Sequence, residues 1–182
     1  MQIKGTAVRA TLAAIEHAYG AAGLAKVHAA LPAKERTTLT GLVLASTMYP
    51  VALSAALHEA IRTALGNGTL HANRKVGIAA GQIDWAGVYR VFLQFSSYEV
   101  LLRSMNRAFR QYNSQGELYW DRIGAGEAEG GVRGVSGYTE PMWTAVAGRL
   151  EAILVLAGAA SASAVLHDVT SEGVLLRVRW KR

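Results

Sequence analysis

The sequence contains no cysteine among its 182 residues, and only three prolines. Disulfide bridges, thiolate metal sites and cysteine nucleophiles are therefore excluded. The absence of cysteine suits a reducing compartment, so we expect a cytoplasmic protein. Charged residues make up 18% of the chain and hydrophobic residues 51%, whereas about 25% and about 45–50% are usual. This composition argues against intrinsic disorder and predicts extensive burial.

Long apolar runs are also missing. The longest lies near residues 152–160, whereas about 20 apolar residues are needed to cross a bilayer. The first residues lack the apolar core of a secretory signal. We therefore expect no transmembrane segment. The length falls within the ~50–250 residues of one domain, which predicts a single domain over residues 1–182.

The motifs that mark common active sites are absent from the chain. There is no G-x-G-x-x-G, P-loop, H-E-x-x-H or G-x-S-x-G pattern. No histidine forms a close pair with a carboxylate at metal-ligand spacing, and this holds for His17, His28, His58, His71 and His167. We expect a protein that is not an enzyme and that has no metal site.

The hydrophobic pattern changes near residue 115. Before it, apolar residues recur at helical spacing, most clearly at Leu53, Leu57, Ile61 and Leu65. Glycines punctuate the first helix at Gly20 and Gly23. The helix that follows Tyr49-Pro50 carries the Leu53 stripe, and a more polar helix is predicted over 70–82. Ser96 and Glu99 have the S-x-x-E spacing of a capping box before a further helix.

Alternating segments follow residue 116. The pattern predicts strands near 118–123 and 132–138, a helix opening at Pro141, and a terminal hairpin of 162–169 and 174–180. Apolar residues on one side of the last strand are typical of a half-buried sheet; they are Val174, Leu176, Val178 and Trp180. The predicted fold class is α+β, with a helical region (1–115) followed by an antiparallel ββαββ unit (116–182) with helices packed on it.

The formal net charge is +6, and part of the excess lies at the C-terminal end, in Arg177, Arg179, Lys181 and Arg182. These residues could bind nucleic acid or an anionic membrane surface. They could equally be the charged side of an edge strand. Because the other positive charges are scattered among acidic residues, we favour the edge strand and do not expect nucleic-acid binding.

Several short motifs follow one another along nearly the whole chain. They are Ile3-Lys4-Gly5-Thr6, Ser46-x-x-Tyr49-Pro50, Gly81-x-x-Asp84-x-x-Gly87-Val88-Tyr89-Arg90-x-Phe92, Phe109-Arg110-Gln111-Tyr112, and a closing strand that ends in Trp180. In this order they resemble a paralogous, uncharacterised family of similar length from myxobacteria. That family is in turn similar to a superfamily with three branches: haem-based nitric-oxide/oxygen-binding (H-NOX) domains, 4-vinyl-reductase-type small-molecule-binding domains and TRAPP vesicle-tethering subunits.

The resemblance implies a helical subdomain followed by an antiparallel sheet, and a role in ligand sensing or assembly, commonly as a homodimer or with a protein partner. Two departures limit it. H-NOX domains hold haem propionates with Tyr-x-Ser-x-Arg, but Tyr112-x-Ser114 is followed by Gly116 where arginine is required. The terminal hairpin also lacks the cysteines of vinyl-reductase-type domains. We therefore expect no haem cofactor.

The function that we predict is a non-catalytic sensory or scaffold domain that binds a small apolar ligand, a protein partner, or both. One alternative is a haem-based gas sensor with His58 as the axial ligand; another is an anionic-surface binder through the basic C-terminus. From the superfamily analogy and the aromatic positions, we predict a pocket between the 49–65 and 85–109 helices and the sheet. Its predicted ligand-binding residues are Tyr49, His58, Tyr89, Phe92, Tyr112 and Trp120.

Overall fold

A computed structural model describes residues 1–84 and 97–182. In the helical part, the elements are β1 (Gln2–Lys4), α1 (Gly5–Ala30), α2 (Ala33–Thr40), β2 (Met48–Pro50), α3 (Val51–Ala64), α4 (His71–Asp84) and α5 (Tyr98–Tyr112). The first part of the predicted 85–109 helices, residues 85–96, lies outside the described residues. Of the described helices, none has the length and apolar character needed to cross a membrane.

The second part contains β3 (Glu117–Ile123), β4 (Glu127–Arg133), α6 (Glu140–Leu156), β5 (Ser161–His167) and β6 (Gly173–Lys181). Its four strands form one antiparallel sheet in the order β3-β4-β6-β5. The predicted α+β class and the ββαββ order are therefore confirmed. Buried apolar residues from both parts form one core cluster. That residues 1–182 form a single domain stays a prediction.

The helix boundaries follow from local chemistry. Gly20 adopts φ 70° and ψ 177° and kinks α1, a backbone state that glycine reaches without steric cost. Pro50 is the N-cap residue of α3. At α5 the predicted capping residue was wrong by one position. The cap is Ser97, whose hydroxyl accepts a hydrogen bond from the Val100 N–H at 3.3 Å, and Glu99 instead pairs with Arg103 one turn on.

Strand β4 differs from its prediction, because it spans Glu127–Arg133 and not 132–138. Gly130 and Gly131 lie inside this strand, opposite Trp120 and Tyr119 respectively. A Cβ on Gly130 would lie 2.1 Å from the Tyr119 carbonyl oxygen. These glycines therefore allow two backbones to approach closely beside the irregularity that β3 carries between Trp120 and Arg122.

A two-stranded sheet that the sequence did not predict ties the N-terminus to the end of α5. Strand β1 pairs antiparallel with β2, with Ile3 opposite Tyr49. Ile3 also bridges to Asn113, and the Ser114 N–H donates to the Gln2 carbonyl at 3.0 Å. The last turn of α5 is thereby fixed against α1 and α3.

Helices α4 and α6 pack with almost no side chain between them. A Cβ on Gly77 would lie 2.1 Å from the Ala145 carbonyl oxygen, and one on Gly148 would lie 2.3 Å from the Arg74 carbonyl oxygen. The sequence predicted a polar helix here, yet α4 buries a face made of Ala72, Asn73, Val76, Gly77, Ala79, Ala80 and Gly81. The face is buried because its residues are small, which a hydrophobic pattern does not reveal.

Candidate functional site

A cavity of about 310 Å³ lies among the helices, close to the ends of β1 and β3. Helices α1, α3, α4, α5 and α6 all contribute to its wall. Most of the lining is apolar, and the polar or ionisable lining residues are Thr11, Ser54, His58, Asp84, Gln111, Tyr112, Asn113, Tyr138 and Arg149. Ligand sites are usually cavities of about 300–1,000 Å³ with mainly apolar walls and a few polar groups, and this cavity lies at the small end of that range.

His58 lies on the cavity wall and is buried, with 6% of its surface exposed. Burial, together with the nearby charge of Arg149, lowers the pKa of His58 from 6.5 to about 4. The imidazole is therefore neutral at pH 7.

The Asn73 amide lies beside this ring and favours one of its tautomers. Its Nδ2 donates to the His58 carbonyl at 2.8 Å, which sets the orientation of the amide, and the same nitrogen lies 3.4 Å from His58 Nδ1. Because Nδ1 faces a donor, it acts as the acceptor, and the single proton of the neutral ring belongs on Nε2.

An aromatic stack forms another part of the wall. The Tyr138 ring stacks on Trp143 with ring centroids 4.2 Å apart. The Tyr138 ring also contacts Phe109, with ring centroids 6.4 Å apart. The Tyr138 hydroxyl donates to Asn113 Oδ1 at 2.9 Å. Burial raises the pKa of Tyr138 to about 12, against smaller opposing effects of Arg149 and of the Asn113 hydrogen bond. This phenol is therefore a neutral, already bonded group.

Two oppositely charged residues, Asp84 and Arg149, complete the polar lining. Arg149 Nη1 lies 3.5 Å from Asp84 Oδ2, and the two side chains are 26% and 19% exposed. Asp84 is the last residue of α4, and Arg149 lies in the middle of α6. Sequence reasoning missed both residues. The available signal was that Arg149 and Glu151 are the two charged residues within the mainly apolar stretch 141–156 of α6.

The structure brings together two of the six predicted ligand-binding residues. His58 and Tyr112 both line the cavity. Tyr49 does not, because it pairs with Ile3 and its hydroxyl accepts from the Leu44 N–H at 3.0 Å. Trp120 also lies elsewhere, where its indole donates to the Leu102 carbonyl at 2.9 Å. Tyr89 and Phe92 lie outside the described residues. That any of the six binds a ligand stays a prediction.

The basic C-terminal strand is partly neutralised by its neighbour β4. Arg177 Nη2 lies 2.6 Å from Glu129 Oε1, and Arg179 Nε lies 3.8 Å from Glu127 Oε2. Arg182 lies over the ring of Tyr98. This cross-strand charge pattern is typical of the solvated side of a sheet. The prediction of an edge strand was wrong, because β6 pairs with β4 on one side and with β5 on the other. Within the described ranges, no three His, Asp or Glu side chains group as metal ligands would.

Comparison with solved structures reveals the fold. An Fe(II) unliganded H-NOX protein from K. algicida matches with a TM-score of 0.71 at 11% identity, covering 99% of this chain and 97% of that one. An oxygen-binding H-NOX domain related to soluble guanylate cyclases matches with a TM-score of 0.70 at 12% identity, covering 99% and 96%. The chain has the H-NOX fold. A third structure, a Cs H-NOX mutant, matches with a TM-score of 0.69 at 14% identity, covering 99% of this chain and 97% of that one.

The resemblance to H-NOX domains is thus confirmed for the fold. The sequence matches no protein-family model and no curated protein. The narrower resemblance to a myxobacterial family therefore stays a prediction.

The haem that H-NOX domains imply can be tested against the residues of this cavity. A histidine that binds a metal through one ring nitrogen normally donates a proton from the other to an acceptor. At His58 the nitrogen Nδ1 instead faces the Asn73 amide donor. Ser114, the second residue of the propionate pattern, accepts from the Gln2 N–H at 2.9 Å and is not part of the described lining. The described residues do not fit a haem ligated by His58.

Proposed function

We propose that this chain is a non-catalytic ligand-binding domain of the H-NOX fold, and that the helical cavity holds a small, mainly apolar molecule. The observation that supports the proposal is the cavity itself: about 310 Å³, bounded by five helices, with apolar walls and few polar groups. The same proposal includes a sensory or scaffold role. In this role, ligand binding is communicated to a second copy of the chain in a homodimer or to a protein partner.

The polar groups of the lining support binding and not catalysis. Tyr138 and Asn113 hydrogen-bond to each other, and Thr11 donates back to Ala7 in its own helix. The His58 ring is neutral, and its Nδ1 faces the Asn73 side-chain amide at 3.4 Å. A general base or nucleophile must lie within hydrogen-bond reach of a reacting group and of the residue that activates it. These hydrogen bonds of Thr11, Asn113 and Tyr138 form no such chain with His58.

Native mass spectrometry of the purified protein, beside a denatured run, tests this proposal. We expect the native protein to retain a small molecule, or to take one up from a library of apolar fragments. Ala108 lies on the cavity wall, so Ala108→Phe fills the cavity and should abolish retention. Ala25 is exposed on α1, so Ala25→Phe is the matched control and should bind as the wild type does. A folded wild type that retains and takes up nothing would disprove the proposal.

The haem sensor remains the second candidate, because the matching structures are H-NOX proteins and His58 lies in the cavity. Titration of haemin into the purified protein separates the two candidates. Our proposal expects no Soret band that depends on His58. A sharp Soret band in the wild type that is lost in His58→Ala, with His17→Ala as an unaffected control, would establish the haem sensor instead.

A further inference from the structure

The guanidinium of Arg149 is a charged group with unused hydrogen-bonding capacity on the wall of the cavity. Its side chain is 26% exposed, and its charge reaches both His58 and Tyr138, since it lowers the pKa of each. Arginine carries five N–H donors in a fixed plane. In the part of the chain that the structure describes, no atom accepts a hydrogen bond from Arg149.

The contact with Asp84 leaves most of this capacity free. It joins Arg149 Nη1 to Asp84 Oδ2 at 3.5 Å, beyond the 2.7–3.2 Å of a good N–H···O hydrogen bond. The side-on edge of the guanidinium, formed by Nε and Nη2, has no acceptor among the described residues. By contrast, Arg74 of α4 binds Glu151 of α6 through both Nε and Nη2. The fold can therefore build a complete arginine–carboxylate pair here, and at Arg149 it does not.

The rest of the lining defines what else the ligand needs. Asp84 and Arg149 are the two charged residues of the described lining, since His58 is neutral, and most of the remaining surface is apolar. A volume of about 310 Å³ corresponds to about ten non-hydrogen atoms, if each occupies roughly the ~30 Å³ of a water molecule in the liquid. The cavity thus suits a compact molecule with an apolar body and one planar anionic group.

We propose that the cavity binds a small organic acid, whose carboxylate pairs with the Nε–Nη2 edge of Arg149 while its apolar body lies against the aromatic and aliphatic wall. A carboxylate matches this edge because its two oxygens accept two parallel N–H bonds. Asp84 contacts Nη1 and leaves this edge free, but its negative charge repels an acid bound to the same guanidinium. The inference rests on the proposed function, since it specifies the ligand of the same cavity.

The test compares 3-phenylpropanoate with its neutral amide, 3-phenylpropanamide, by isothermal titration calorimetry at pH 7.5. The two compounds have the same shape and differ in charge. We expect the wild type to bind the acid about 10- to 100-fold more tightly, as charge-assisted hydrogen bonds imply. Arg149→Met should abolish this preference and leave binding of the amide within about threefold. Arg149→Lys, which keeps the charge but not the fork, should retain part of the preference.

Two further variants keep the result interpretable. Arg107 is exposed on α5, so Arg107→Met removes one positive charge elsewhere and should leave the preference intact. Asp84→Asn removes the repelling negative charge and should increase the affinity for the acid, a gain that no folding defect can produce. Equal binding of acid and amide, unchanged by Arg149→Met, would overturn the inference and leave the proposed function standing. Failure of both compounds to bind the folded wild type would overturn the inference, whereas the proposed function is decided separately by the native mass spectra.

Discussion

The buried carboxylate of Glu151 should anchor the edge strand β5 to the helices. Its Oε1 accepts from the Ala164 N–H at 2.7 Å, and its two oxygens bind Arg74, with Arg74 Nε at 3.0 Å from Oε2. Arg74 Nη2 in turn donates to the Ala164 carbonyl at 2.8 Å. One ion pair thus satisfies both backbone polar groups of a residue that is fully buried.

The cost of Glu151→Ala can be estimated from these bonds. The Ala164 N–H would be left buried without a partner, which costs about 1–3 kcal/mol. Breaking a buried pair costs about 3–5 kcal/mol in general, but the Arg74 side chain is 38% exposed and water can solvate the freed charge. We therefore expect a loss of about 3 kcal/mol of unfolding free energy. For a chain of this length, this corresponds to a fall of roughly 6–12 °C in Tm.

Differential scanning calorimetry and amide hydrogen exchange measure this effect. Glu99→Ala is the matched control, because Glu99 pairs with Arg103 on an exposed helix face and such pairs contribute about 0.3–0.5 kcal/mol. In Glu151→Ala, the Ala164 amide should exchange faster than the β6 amides. If Glu151→Ala were as mild as Glu99→Ala and exchange at Ala164 stayed slow, the anchoring role would be refuted.

Two other predictions concern the helices around the cavity. Gly77→Ala should destabilise the protein by about 1–3 kcal/mol or more, because its Cβ would lie 2.1 Å from the Ala145 carbonyl oxygen. Gly124→Ala should be tolerated, since its nearest neighbour lies at 3.9 Å; chemical denaturation compares the two variants. His58 has a pKa of about 4 in the fold and 6.5 when unfolded, so only the unfolded chain gains its proton between these values. Stability is therefore unaffected above pH 6.5 and is lost as the pH falls towards 4, by about 2 kcal/mol at pH 5. Urea unfolding at pH 7.5 and pH 5 should show this extra loss in the wild type and not in His58→Gln; equal losses would contradict it.

Much of the fold could be predicted because its signals are local. Strand β6 alternates buried and exposed residues along its whole length, as its sequence alternates. Leu57 and Ile61 are fully buried on the face that their spacing indicated. Pro141 lies in the first turn of α6, as its missing N–H allows. In each case the hydrophobic period or the helix-initiating proline determines the structure of residues only a few positions away.

The parts that sequence did not reveal depend on a distant partner. Helix α4 reads as polar because its buried face consists of alanine and glycine, and the need for these residues exists only where Ala145 and Ala152 of α6 approach it. Gly130 likewise makes sense only against the Tyr119 carbonyl. The candidate site follows the same rule. His58 could be named from the edge of an apolar stripe, but the Asp84–Arg149 contact requires knowing that α4 and α6 are neighbours.

The cavity carries a stability cost that a ligand should offset. The cavity of about 310 Å³ is partly open to solvent, so it costs less than a closed, dry cavity, for which the cost is about 24 cal/mol per Å³. The apolar part of the wall still lacks packing partners on its open side. Ala108→Phe should therefore raise Tm in the absence of ligand while it abolishes binding, and Ala25→Phe should do neither. Such an inverse relation is expected where stability is exchanged for function. A fall in Tm in Ala108→Phe, together with unchanged ligand binding, would mean that the space beside Ala108 is ordinary core packing and not a binding cavity.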